Sequence, residues 1–233
     1  MTLRSLAVCA GLTLVASSAQ SGARVLQEPL RQSGGEPATI ISSLRALDDL
    51  LSRVPNSARS GLAALPRARA ALNSLQRLST NWPAASPADY RVSLATDVNV
   101  LEAALNAGNP DRLAATLQAI ADDLEIKLEH CTGSGGKLGG SVVVRVRSVR
   151  GNDEIKNWQV FYLPRVLEAV GSASPGRFPR LSSPADDSLV PGRYVMWLQD
   201  PSSKTTGERT VVKVGEGKRE LLLDLSVPVD SPR

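Results

Sequence analysis

Histidine and cysteine are almost missing from this chain, which has one histidine, His130, and two cysteines, Cys9 and Cys131. A single histidine excludes a His-rich metal centre. Its adjacency to Cys131 also excludes a ready nucleophile and base, because neighbours on a helix point about 100° apart. Two ligands fall short of the three protein ligands of a catalytic zinc site and the four of a structural one. No G-x-S-x-G segment occurs, so the serine-hydrolase elbow is absent. Charge of one sign is lacking too. The formal net charge is +4, with the small basic surplus in the C-terminal part. Such a balance does not indicate nucleic-acid binding and leaves only weak attraction to anionic surface polymers.

Long apolar runs are confined to the N-terminus. Arg4 precedes an apolar run from Leu6 to Val15, followed by Ser17 and Ala19, or Ser21 and Ala23, at the −3 and −1 positions of a cleavage site. Residues 1–23 therefore read as a secretory signal peptide, which makes the mature protein secreted or periplasmic. The run is too short to span a bilayer, and no later segment approaches the ~20 apolar residues a spanning helix needs. Cys9 follows Val8 inside the run rather than a small residue, so it does not mark a lipoprotein. Processing leaves Cys131 alone. No internal disulfide framework is then available, and Cys131 is either free or a candidate for an intermolecular disulfide in a homodimer.

Residues 24–36 are polar with Gly34 and Gly35 and read as a flexible leader. From 37 to 132 the apolar residues recur every third or fourth place. Ile40, Leu44, Leu47, Leu51 and Val54 form one stripe, ended by Pro55, and Leu62, Leu65, Leu72, Leu75 and Leu78 form a second. Pro66 belongs in a first turn or makes a kink. After a loop over 81–87, Ser86 and Pro87 resemble a cap leading to Leu94, Val98, Leu101 and Leu105. Gly108 stops that helix, and Asn109 and Pro110 open a fourth through Leu113, Leu117, Ile120, Leu124 and Leu128. Short connections favour antiparallel neighbours, so the expectation is an antiparallel helical bundle.

Gly-rich residues 133–140, GSGGKLGG, read as a flexible linker and the domain boundary. Lys137 after two glycines is no phosphate loop, since Leu138 stands where Ser or Thr would hold Mg²⁺. Over 141–229 the period becomes two, and residues 230–233 form a tail. Val142, Val144 and Val146 share a face opposite Val143, Arg145 and Arg147. A strand from Ile155 to Leu163 is apolar on both faces, as is the stretch after Pro191 and Gly192, where Tyr194, Met196 and Leu198 oppose Val195 and Trp197. Pro-Gly predicts a turn with Gly192 at positive φ. A short helix is expected at Arg165 to Val170 and a short strand near Phe178 to Leu181. Strands Arg209 to Val214 and Arg219 to Val227 are expected to pair as a hairpin through Gly215 to Gly217. About six strands without long intervening helices indicate an antiparallel sandwich.

Leu189, Pro191, Gly192 and Tyr194, preceded by a turn over Ser183 to Asp187 and followed by strands ending in Leu221, Leu223 and Leu225, resemble the prealbumin-like, or carboxypeptidase regulatory-like, β-sandwich of secreted bacterial proteins. The resemblance covers roughly the last ninety residues. It implies a non-catalytic accessory module attached to enzymes, receptors or surface proteins, and it names no ligand.

The fold class expected is thus multidomain, an N-terminal antiparallel helical bundle plus a C-terminal prealbumin-like antiparallel β-sandwich. The acidic pairs Asp48 with Asp49 and Asp122 with Asp123 read as solvated helix faces. Asp186 and Asp187 lack the alternating oxygen ligands of a Ca²⁺ loop, so no metal or cofactor is assigned. The candidate ligand face is Trp158, Tyr162 and Trp197, if nothing else covers that side of the sheet. The expected role is a secreted or periplasmic, non-enzymatic binding or structural accessory module of the cell envelope, with an unidentified protein or surface polymer as partner. Two alternatives are a dimerising interaction protein and a regulatory piece of an envelope enzyme.

Overall fold

The computed structural model describes residues 39–55, 63–82, 88–171, 174–181, 183–215 and 220–228. Residues 1–36, read as signal peptide and leader, lie outside them, as do Leu62 of the second stripe, the expected cap at Ser86 and Pro87, residues 216–217 of the expected hairpin turn and the 230–233 tail. Helices occupy the N-terminal part: α1 (Ile40–Ser52), α2 (Ala64–Ser79), α3 (Ala88–Ala107) and α4 (Pro110–Gly133). Strands follow as β1 (Val142–Arg150), β2 (Asp153–Glu154) and β3 (Gln159–Pro164). A short α5 (Arg165–Val170) then precedes β4 (Gly176–Arg177), β5 (Ala185–Leu189), β6 (Gly192–Gln199), β7 (Thr210–Val214) and β8 (Glu220–Ser226). No helix of the described residues is long and apolar enough to cross a membrane.

Local chemistry explains the helix ends. Ser42 N donates to Thr39 Oγ1 at the start of α1, and Arg112 N donates to Asn109 Oδ1 at the start of α4, with Pro110 just inside. Pro66 falls in the first turn of α2, where its missing N–H costs nothing. The stripes meet in one core containing Leu44, Leu47 and Leu51 of α1, Leu72 and Leu75 of α2, Leu101 of α3, and Leu117, Ile120 and Leu124 of α4. Burying each such side chain contributes about 1.5–3 kcal/mol.

Residues 133–140 are not a free tether. Gly136 N donates to Cys131 O at 2.8 Å, and Trp82 Nε1 donates to Gly136 O at 3.1 Å, so the segment closes back on the end of α4. Gly139 lies against His130, whose Nε2 is 2.2 Å from where a Cβ would stand.

The strands form two four-stranded sheets. In the first, β1 pairs with β2 and β5 antiparallel and with β8 parallel. The second has the order β4-β3-β6-β7, all antiparallel. Val142, Val144 and Val146 of β1 pack with Val160 and Tyr162 of β3 and with Tyr194, Met196 and Leu198 of β6. The expected hairpin of the last two strands does not form. β7 lies in the second sheet beside β6, whereas β8 lies in the first and joins β1 in parallel register, with Arg147 and Asp224 paired across them at 2.7 Å. Of the turn expected over Ser183 to Asp187, residues 185–187 belong to strand β5, and β4 lies just before the strand expected at 178–181.

The second apolar face of β3 and β6 has its cover within the chain. Leu163, Val195 and Trp197 cluster with Phe161 and with Leu167 of α5. The same short helix inserts Val166 into the helical core, with Leu167 and Ala169 packed against it. α5 thus belongs to the β-rich half by sequence and to the helical half by packing.

Candidate functional site

Pro191 and Gly192 carry the chain from β5 in one sheet into β6 in the other. Tyr194 fastens this corner, its Oη donating to Val190 O at 2.8 Å, and burial pushes its phenol well above the ordinary tyrosine range. Gly192 does not have the positive φ expected of it. Its role is close approach. Asp123 Oδ1 of α4 lies 2.3 Å from where a Cβ at residue 192 would stand, so any larger residue there requires the carboxylate to move.

That carboxylate is held from behind. Asp123 forms an ion pair with Lys127 one turn on, and Lys127 Nζ also lies 3.5 Å from Asp97 Oδ2 of α3. Lys127 is 1% exposed and Asp97 0%. Burial lowers the lysine's pKa and raises the aspartate's, and their mutual attraction opposes both changes. A more exposed ring of charge surrounds this one. Arg193 of β6 reaches Asp122 at 3.2 Å, Arg67 of α2 binds both Asp122 and Glu125, and Lys213 of β7 reaches Glu129 at 2.8 Å. The hydrogen bonds that Arg67 donates to Glu125 and, second, to Asp122 hold its guanidinium well above the ordinary arginine range. Arg193 and Lys213 tie the second sheet to α4 and Arg67 ties α2 to it, and such partly solvated pairs contribute little to stability.

Beside the corner, a cleft of about 220 Å³ opens between the first turns of α3, the end of β3, α5 and β5. Tyr162 and Tyr194 line it, with Asp89 of α3 and Asp187 of β5. Val92, Val166 and Val190 supply much of its apolar lining. Burial pushes the Tyr162 phenol up to about 12, and the Asp187 and Asp89 carboxylates push it the same way. Burial also raises Asp187, with further contributions from Asp186 and Asp89 working against a hydrogen bond from Ser188 N. The lining includes serine and threonine hydroxyls but neither His130 nor Cys131. Carboxylates and phenols in an apolar setting suit the binding of cations and hydrogen-bond donors.

Among known protein families and curated proteins, none matches this chain.

The candidate aromatic face divides. Trp158 and Tyr162 lie between the sheets, Tyr162 meeting Phe178 and Tyr194 edge-on at 5.8 and 6.0 Å. Trp197 points the other way, stacked on Phe161 at 5.8 Å with the Arg209 guanidinium 4.5 Å from its ring. All three are buried, and only Tyr162 reaches the cleft. The strand period separates them, since residues an odd number of places apart face opposite sides once registered. Cys131 is fully buried, and burial pushes its thiol up to about 11. A disulfide to a second chain would require α4 to open at its end. His130 is buried beside it, with its pKa lowered by burial.

Asp48 and Asp49 are exposed, as expected, but Asp122 and Asp123 are buried beneath the sheets. Among the described residues, no group of three or more His, Cys, Asp or Glu could hold a metal ion. Sequence reading missed Asp97, Lys127 and Asp89. The one local signal was the i, i+4 spacing of Asp123 and Lys127, which occurs equally on solvated helix faces.

Proposed function

We propose that this chain is a secreted or periplasmic, non-enzymatic binding module of the cell envelope, built as a helical bundle followed by a prealbumin-like β-sandwich. Its ligand seat is the cleft where the two meet. The observation that carries this reading is the composition of that cleft, a concave and largely apolar site with a few convergent polar groups contributed by both halves. His130 and Cys131, the residues best suited to acid/base or covalent chemistry, are buried outside its lining. The sandwich reading draws support from two sheets sharing one core and from a tyrosine at the start of β6 bonded back to Val190, the device that closes corners in Greek-key sandwiches. The prealbumin likeness rests on Leu189, Pro191, Gly192 and Tyr194. Location rests on the signal-like residues 1–23.

Fractionation of cells expressing the full chain with a C-terminal tag tests the location. Recovery outside the cytoplasm in shortened form is expected, and retention inside at full length would refute it. Hydrogen exchange of the purified protein with the small-molecule fraction of an envelope extract tests the seat. Slower exchange in the first turns of α3, in β5 and in α5 is expected, and unchanged exchange in all three refutes the cleft as the binding site.

A further inference from the structure

We propose that the cleft receives an organic cation, a primary ammonium carried on a small apolar body. This rests on reading the cleft as a ligand seat and adds the chemistry of its occupant. Three observations converge on it.

Charge comes first. Asp89 accepts one hydrogen bond, from Ser141 Oγ at 3.2 Å, and Asp187 accepts one, from Ser188 N at 2.8 Å. Neither forms an ion pair among the described residues, and no lysine or arginine lines the cleft. The third carboxylate there, Asp123, is already neutralised by Lys127. Two negative charges from different halves of the molecule thus face one space without a counterion.

The second observation is Tyr162. It is 5% exposed and lines the cleft, and its hydroxyl has no hydrogen-bond partner among the described residues. The neighbouring Tyr194 hydroxyl, by contrast, is committed to Val190 O. An ammonium offers three N–H donors, and Asp89, Asp187 and Tyr162 offer three acceptors.

The third is the rest of the lining. Val92, Leu167 and Val190 present apolar surface that a hydrated inorganic ion or a sugar would leave unmatched. The volume of about 220 Å³ exceeds that of an engineered cavity of about 150 Å³ that holds benzene. That suits a body the size of a single small ring, and an anion of that size would be repelled by the carboxylates.

Benzylamine, benzyl alcohol and benzoate, which are alike in size and differ in charge, are titrated into the purified protein and followed by amide NMR. Saturable shifts at Asp89, Val92 and Ser188 with benzylamine are expected, at least about tenfold tighter than with benzyl alcohol and absent with benzoate. Asp89 is exposed, so Asp89→Asn leaves the fold intact, and it should weaken benzylamine about tenfold. Tyr162→Phe should weaken it several-fold while leaving the remaining spectrum unchanged. Equal affinity for benzyl alcohol overturns the ammonium assignment and leaves the cleft as a seat. Displacement of benzylamine by equimolar calcium chloride overturns it in favour of an inorganic cation. No saturable shift with benzylamine, alongside slowed exchange with the envelope extract, overturns the ligand class alone. No response to any probe or extract overturns both readings.

Discussion

Replacing Lys127 by methionine keeps the length of the buried stem and removes the charge between Asp97 and Asp123. Asp97 is 0% exposed, and Lys127 is its cation among the described ion pairs. Removing one member of a buried pair typically costs about 3–5 kcal/mol, because the other is left charged and dry. Asp97 recovers part of that cost by taking up a proton, since burial already raises its carboxyl above the ordinary range. With the lysine gone, the folded state prefers Asp97 neutral and the unfolded state ionises it readily. Stability from that group is therefore present at low pH and lost as pH rises, and Lys127→Met should be more damaging at pH 8 than at pH 5. Adding Asp97→Asn to Lys127→Met neutralises the orphan and should restore about 1–3 kcal/mol, the coupling expected of residues in contact. Urea unfolding followed by fluorescence of Trp82, Trp158 and Trp197 reads all of this. At a slope of ~2 kcal/mol per molar urea, the midpoint of Lys127→Met should fall by about 1.5–2.5 M at pH 8. A loss under about 1 kcal/mol at pH 8, or strict additivity in the double variant, would show that these charges are solvated and uncoupled.

Gly192→Ala places a methyl group 2.3 Å from Asp123 Oδ1, whose carboxylate is held by Lys127, so melting should reveal a loss of about 1–3 kcal/mol. Gly140→Ala, with open space around its Cβ position, should leave the melting temperature nearly unchanged, and equal losses in the two variants would remove the close-approach explanation. For His130, burial holds the folded imidazole below its ordinary 6.5, so the unfolded chain takes up a proton first as pH falls. Its contribution is fully present above about pH 6.5 and declines on acidification. His130→Gln should flatten urea midpoints between pH 7 and 5 relative to the parent, and identical slopes would contradict the burial.

The order of helices before antiparallel sheets was legible because each element carries its own instruction. Leucines every third or fourth place from Ile40 to Val54, or from Leu113 to Leu128, make sense only on a helix with one covered side. Alternation from Tyr194 to Leu198 assigns faces correctly, with Trp197 opposite Met196. The short helix α5, expected at 165–170, is also found there. The partner of β8 was not. Alternation tells a strand which side is buried and nothing about its neighbour, so a nearby glycine turn suggested a hairpin where β8 in fact joins β1 in parallel.

Residue type and spacing, then, were enough to decide which segments are helix or strand and which face of each turns inward, because those are properties of a few neighbouring positions. The meeting of Asp89, Asp187 and Tyr162, the burial of Asp97 and Lys127, and the close approach at Gly192 depend on how α3, α4 and the sheets dock. Those residues lie far apart along the chain, and the desolvation that gives them their character is created only when the surfaces between them close.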